Sequence, residues 1–342
     1  MHKIAFLIAF SNKYYNAGTK PFLDISLGLI NNGYKPFLLF FKSPSYEDCK
    51  KRFPNLPMYA FQDIDEINNF INKESIKVLI SDDFVNRLKI LNKIKTKYKV
   101  VYVQHLTGIS VINELSNKTN IKLKLASYLP WRITVRRYVN LIEKADVMIG
   151  NSYTATHYLA SLFGISSSSV VYPPVGVNLR ILNNSSERKG ILVYVGHKPD
   201  FYIRDLKQDI KVLKNLDDDI IIWGEGGLEN ISDEELSHHY SRVKLVYVTT
   251  TFETFGYVGA EALLFGTPVL LNVYQPFLEK IPLEYNMVKI LGRKEIGPKE
   301  IKDFLESEKD VTSAKKAITS NYSVDKSSQS LIKILDTELT DF

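Results

Sequence analysis

The stretch T-T-F-E-T-F-G-Y-V-G-A-E-A-L-L-F-G-T-P-V-L-L-N, Thr250–Asn272, carries two carboxylates, Glu253 and Glu261, with seven residues between them. A strand pattern at Lys244–Val248 precedes it, so Glu253 falls in the loop beyond a strand end. Gly256 then opens a helix that runs through Gly259 to about Phe265. The first amides of a helix lack intrahelical acceptors and carry partial positive charge. The backbone around Phe255, Gly256, Tyr257 and Val258 therefore suits an anionic or hydroxyl-rich ligand. Glu261 lies about two turns beyond Glu253 in the apolar run A-E-A-L-L. A carboxylate there needs donors. The hydroxyls of a ribose would serve, and so would a backbone cap.

Other strand ends carry polar groups as well. Gly18, in N-A-G-T-K-P-F-L, sits just before a helix start; it either admits a ligand to the backbone or is a plain loop glycine. His105 follows the strand at Val100–Val103 in Q-H-L-T-G, where an imidazole meets a sugar hydroxyl or a phosphate, or serves the structure alone. Gly196 ends the strand I-L-V-Y-V-G. His197, Lys198, Arg204 and Lys207 then surround a helix start, as a diphosphate clamp or as a solvated basic face. Gly224, Gly226 and Gly227 close I-I-I-W-G-E-G-G, allowing close approach of a base or ribose, or a simple turn. Asp82 and Asp83 also follow a strand and read as surface or acceptor-side residues. There is no G-x-G-x-x-G, so a dinucleotide fingerprint is missing.

The elements that must position these groups alternate. Strand patterns at Lys3–Phe10, Pro36–Phe41, Ile76–Ile80, Val100–Val103 and Asp146–Gly150 are separated by helical stretches, which implies a parallel sheet covered on both faces. The corner V-V-Y-P-P-V-G-V-N interrupts the pattern near residue 172, and the alternation restarts at Gly190. The fold class is α/β with two Rossmann-like domains, and a ligand is expected in the cleft between them. With 342 residues, two domains are also what chain length favours. Hydrophobic residues at 45% and charged residues at 24% are globular proportions and exclude a disordered chain. The single cysteine, Cys49, excludes an intrachain disulfide and a cysteine-built zinc site. No apolar run reaches the length of a transmembrane helix, and M-H-K-I-A-F-L-I-A-F reads as a buried strand rather than a signal segment.

F-E-T-F-G-Y-V-G-A-E-A-L-L-F-G-T-P-V-L resembles the signature of retaining glycosyltransferases of the GT-B fold, in particular glycosyltransferase family 4: Glu-x7-Glu, a glycine after the first glutamate, then E-A and G-x-P-V. N-A-G-T-K-P-F-L-D-I-S-L-G-L-I-N-N-G-Y, K-A-D-V-M-I-G-N-S-Y-T-A-T-H-Y-L, the corner at residue 172 and Y-S-V-D-K-S-S-Q-S-L follow in that family's order. The resemblance implies an acceptor-binding domain over 1–172, a nucleotide-sugar-binding domain over 173–322 and a last helix over 323–342 that crosses back to the first. It implies Glu253 and His105 beside the reacting sugar, Glu261 on the ribose, and the amides of residues 255–258 near sugar and phosphate. It implies a UDP- or GDP-sugar donor with no metal and no other cofactor. The family's diphosphate-holding Arg and Lys are replaced here by His197 and Arg204, with Lys198 available to share the task.

The net charge of +6 allows an anionic partner. Lys122–Lys144 is basic and aromatic. Val135, Tyr138, Val139 and Ile142 fall on one helical face flanked by Arg132, Arg136 and Arg137. That face either packs on the core or rests on an anionic membrane. The expected acceptor is a glycan or a lipid-linked glycan, the expected location the cytoplasm with optional peripheral membrane contact, and no nucleic-acid partner is expected. The alternatives are another GT-B enzyme, such as a nucleotide-sugar epimerase, or a non-catalytic nucleotide-sugar or nucleic-acid binder. The pair Glu253 and Glu261 argues against the second.

Overall fold

A computed structural model describes residues 2–11, 18–105, 133, 135–167, 169–181, 188–196, 206–216, 219–224, 227–228, 231–292 and 297–339. The chain divides into two compact units, Met1–Pro174 with Val324–Phe342, and Val175–Ser323.

The first unit runs β1 (Lys3–Ala9), α1 (Lys20–Asn31), β2 (Lys35–Phe41), α2 (Tyr46–Arg52), β3 (Met58–Phe61), α3 (Ile64–Glu74), β4 (Val78–Asp82), α4 (Val85–Lys93), β5 (Tyr98–Val103), a helical stretch α5 (135–142), β6 (Val147–Gly150), α6 (Tyr153–Phe163) and β7 (Ser169–Val170). The strands pair in parallel in the order β3-β2-β1-β4-β5-β6-β7. β1, β2 and β4 are buried almost throughout, which is why they read as continuous apolar runs without alternation. The order reverses between β1 and β4. Connections leave in opposite directions there, so a crevice opens at the carboxyl ends of those two strands.

The last helix, α12 (Val324–Glu338), belongs to this unit. Leu331, Leu335 and Leu339 join the core formed by Phe22, Leu29 and the central strands. Contact with α1 is close because residue 28 is glycine. A Cβ there would stand 2.5 Å from Ser328 Oγ and 2.7 Å from the Val324 carbonyl. Asn32 Nδ2 donates to Ser328 Oγ across the same seam at 3.3 Å.

The second unit runs β8 (Ile191–Gly196), α7 (Leu206–Lys214), β9 (Ile220–Gly224), α8 (Asp233–Arg242), β10 (Leu245–Val248), α9 (Tyr257–Leu264), β11 (Val269–Leu271), β12 (Val288–Ile290), α10 (Pro298–Glu306) and α11 (Val311–Asn321). Its strands are parallel in the order β12-β11-β10-β8-β9, with the reversal between β8 and β10. Arg188 anchors two of its helices. Its guanidinium donates to the carbonyls of Tyr240 (3.1 Å) and Val243 (3.2 Å) at the end of α8, to Phe265 O (2.7 Å) at the end of α9, and to Thr267 Oγ1. Those carbonyls have no helical partner and carry partial negative charge, so a cation there satisfies both requirements.

Gly28→Val is expected to cost about 1–3 kcal/mol by overpacking the α1–α12 seam. Urea denaturation would show it as a lower midpoint with an unchanged slope.

Candidate functional site

In the second unit, the loop from Thr249 to Gly256 leaves β10 at the topological reversal, beside the end of β8. Asn272 pins its start, its Nδ2 donating to Thr249 O at 2.7 Å. Gln275 Nε2 donates to Thr250 Oγ1 at 3.3 Å, and Thr250 in turn hydrogen-bonds Glu253. Glu253 is half-buried, and loss of solvation pushes its carboxyl up to about 7, an effect that the Thr250 hydrogen bond partly offsets. Near neutrality this carboxyl is therefore divided between its two protonation states.

Gly256 is the N-cap of α9, with φ +95°. A side chain there would be strained, and a Cβ would overlap Gln275 Oε1 and lie 3.0 Å from Gln275 Cβ. α9 has no side-chain cap at this end, and its first backbone bond runs from Ala260 N to Gly256 O at 3.2 Å. The Phe255 ring is buried, edge-on to Tyr257 and Tyr322 at 5.2 Å each, and Val258 is buried too. At these two positions only the backbone is available to a ligand. Glu261 is buried, and its Oε2 accepts from the Tyr240 hydroxyl at 3.3 Å. A phenol from α8 is thus one internal donor to this carboxylate. Gly196 (φ +69°) and Gly224 (φ +111°) close β8 and β9 side by side. His197, Lys198, Arg204 and Gly226 lie outside the described residues.

In the first unit, the site at the β1–β4 reversal is built on two carboxylates that the sequence reads as surface or acceptor-side, and their burial excludes the first of these. Asp82 and Asp83 are both fully buried. The reason is the number of donors they collect. Asp83 Oδ1 accepts the backbone N–H of Gln104 (2.9 Å) and of His105 (2.8 Å), and Oδ2 accepts the Tyr138 hydroxyl at 3.2 Å. Asp82 Oδ2 forms an ion pair with Arg87 and accepts from Gln104 Nε2 at 3.2 Å, with His105 Nε2 at 3.3 Å. Arg87 Nε also donates to Ala9 O at 2.6 Å, and Gln104 Nε2 to Gly18 O at 2.8 Å, tying the ends of β1 and β5 and the start of α1 to the pair. Burial holds His105 down to about 4; Asp83 opposes the shift and Arg87 adds to it. At neutral pH the imidazole is uncharged.

The helical face Val135, Tyr138, Val139, Ile142 is used inward: Tyr138 and Ile142 are fully buried, while Arg136 and Arg137 are exposed. Arg132 lies outside the described residues. Among the described residues no helix is long and apolar enough to cross a membrane. No three His, Cys, Asp or Glu side chains among them converge as metal ligands would.

Sequence reasoning singled out Glu253, Gly256, Glu261, Gly18 and His105 as candidates. It did not single out Thr250, Gln275, Tyr240, Arg87 or Gln104, and burial removes the surface alternative for Asp82 and Asp83. The adjacent carboxylates at a strand end were the available signal, since a charged pair next to a buried parallel strand requires donors from other elements.

A scan against protein-family models finds no match, and a search of curated proteins finds none. Solved structures do match over the whole chain. A glycosyltransferase from Rickettsia africae has 11% identity and a TM-score of 0.66, covering 100% of both chains. Sucrose-phosphate synthase from Thermosynechococcus elongatus has 13% identity and a TM-score of 0.67, covering 98% of this chain and 99% of that one. An assigned UDP-N-acetylglucosamine 2-epimerase from Listeria monocytogenes has 15% identity and a TM-score of 0.59, covering 100% and 98%. The fold is GT-B, with two Rossmann-like units. At these identities the likeness is one of fold.

Two proton equilibria of opposite sign follow. His105, lowered from 6.5 to about 4, leaves the unfolded chain binding more protons in that window, so its contribution to stability is lost as pH falls from 6.5 through 4. Glu253, raised from 4.5 to about 7, makes the folded chain the better proton binder, so its contribution is lost as pH rises through that window. Relative to wild type, Glu253→Gln is expected to gain up to about 3 kcal/mol at pH 8 over its value at pH 4. His105→Gln should flatten the acid limb, and denaturant titrations at a series of pH values would measure both. Gly256→Ala is expected to cost about 1–3 kcal/mol through the left-handed φ and the clash with Gln275, read as a lower denaturation midpoint.

Proposed function

We propose that the chain is a glycosyltransferase that moves a sugar from a nucleotide-diphosphate sugar to a hydroxyl acceptor, with retention of anomeric configuration and without a metal. The observation that carries this reading is the arrangement at the β8–β10 reversal. One loop and one helix there supply a partly protonated carboxyl at Glu253, an uncapped helix start at Gly256 and a buried carboxylate at Glu261. In this reading the amides of residues 256–258 and the sequence-adjacent cations Lys198 and Arg204, with His197, meet the diphosphate. They stabilise the negative charge that develops as it leaves. Glu261, held by Tyr240, accepts from the ribose, and Glu253 orders the sugar. His105 belongs to the acceptor-binding unit, and the acceptor is a glycan or a lipid-linked glycan. The resemblance of Glu253–Val269 to family 4 supports retention, and the glycosyltransferase neighbours support sugar transfer in general.

A second reading, nucleotide-sugar epimerase, is favoured by the epimerase of like fold. Product analysis separates the two, since a transferase releases nucleoside diphosphate and a glycoside, whereas an epimerase yields an epimeric nucleotide sugar or, with hydrolysis by water, an epimeric free sugar together with nucleoside diphosphate.

The test is incubation with UDP- and GDP-sugars, following release of nucleoside diphosphate, with calorimetry for nucleotide binding. Glu253→Gln is expected to lower turnover about 100-fold, with nucleotide affinity little changed. Glu261→Ala is expected to weaken nucleotide binding. Failure of the wild type to bind or release either nucleoside diphosphate would falsify the reading.

A further inference from the structure

Gln275 is fully buried, yet its side-chain oxygen makes no hydrogen bond. The residue opens a short 3-10 turn, Pro276–Lys280, which the Phe277 N–H ties to Phe255 O at 2.9 Å. The side chain lies over the start of α9. A Cβ on Gly256 would overlap Gln275 Oε1. One on Gly259 would stand 3.3 Å from that oxygen and 2.6 Å from the Phe277 ring. The glycines at the N-cap and in the first turn of α9 thus leave the space that Gln275 and Phe277 fill.

This seat decides which way the amide faces. The first turn of α9 presents N–H groups without helical acceptors and carries partial positive charge. An oxygen is attracted there even without a hydrogen bond. The swapped amide would set its two hydrogens against donors. Nε2 is therefore the end that meets Thr250 Oγ1, at 3.3 Å. An amide nitrogen only donates, so the Thr250 oxygen accepts and its own hydrogen is left for another partner. That partner is the Glu253 carboxyl. Among the described residues, burial and the Thr250 hydroxyl are what act on Glu253. Glu261 of α9, and Glu279 and Lys280 of the 3-10 turn, add nothing to them.

We propose that Gln275 is a positioning residue: seated on α9, its amide occupies the Thr250 oxygen and turns the Thr250 hydrogen onto the Glu253 carboxylate. One side chain thereby links the start of α9 to the carboxyl on the preceding loop. For its functional sense this rests on the sugar-transfer reading, in which an ionised Glu253 faces the positive charge that develops on the sugar ring. Its test is independent of the nucleotide. The Glu253 carboxyl is titrated by 13C NMR in the full chain labelled at glutamate, with the signal assigned by Glu253→Gln. UDP and GDP calorimetry runs in parallel.

Thr250→Val is expected to make Glu253 hold its proton about 10-fold more tightly, and Thr250→Ser to leave it as in the wild type. Gln275→Met fills the same space without an amide and is expected to tighten the proton about 2- to 10-fold. Added to Thr250→Val, it should have no further effect, because the hydroxyl through which Gln275 acts is gone. A purely structural role would lower the denaturation midpoint and leave the titration in place. A Gln275→Met chain that titrates like the wild type, or an equal effect with and without Thr250, would overturn the proposal. If Gln275→Met does not fold, the wild type decides. Its Gln275 amide hydrogens should show stronger NOEs to Thr250 than to the α-protons of Gly256 and Gly259, and the reverse pattern overturns the relay. Absence of UDP and GDP binding in the wild type would instead strike the sugar-transfer reading and leave the titration result standing.

Discussion

Every strand in both sheets runs in the same direction as its neighbours, and the placement of chemistry follows from that constraint. A parallel strand needs a crossover, crossovers cover both sheet faces, and covered faces must be apolar. Polar groups can then gather only where strands run out. The carboxyl ends at a reversal of strand order are where neighbouring crossovers diverge and leave room. Each unit has one such place, and among the described residues Asp82 and Asp83 of the first unit and the loop of Glu253 in the second lie at it.

The two places use their carboxylates differently. In the first unit, Asp82 and Asp83 are saturated by donors from β5, α4 and α5, so they act as struts: they set the backbone of Gln104 and His105 and the orientation of an imidazole. In the second unit Glu253 has a weak internal donor in Thr250 and keeps a raised pKa, so it is the group whose charge a ligand can change. Glu261 stands between these cases, buried with a phenol partner. A strut must be satisfied before ligand arrives, and a responsive group must not be. The same residue type does both jobs because the surrounding donors differ.

Helix placement in the second unit is a consequence of charge as well as packing. α9 begins at a left-handed glycine and ends on carbonyls that Arg188 gathers together with those of α8. The helix that presents Glu261 is therefore fixed at both ends by backbone requirements, while its Ala and Leu side chains fill the core. That leaves the first turn open to function without loosening the fold.

Apolar runs and glycine–proline punctuation determined much of this protein in the sequence itself: strand–helix alternation, the strands β1, β2, β8, β9 and β10, the corner near residue 172 and the spacing of Glu253, Gly256 and Glu261. These features are local, written within a few residues of each other. The short strands β3, β7, β11 and β12 were not legible: β7, β11 and β12 have two or three residues, too few for periodicity to stand out, and β3 lacks the continuous buried run of the four-residue β10. Nor was the burial of Asp82 and Asp83, since Arg87, Gln104 and Tyr138 reach them from separate elements. Only tertiary structure decided that Tyr240 would answer Glu261, that α12 would close on Gly28, and that Phe84 would stand against His105. A residue's type and spacing declare what it can offer. Which partner meets it is settled by strand order, which brings distant segments to one edge.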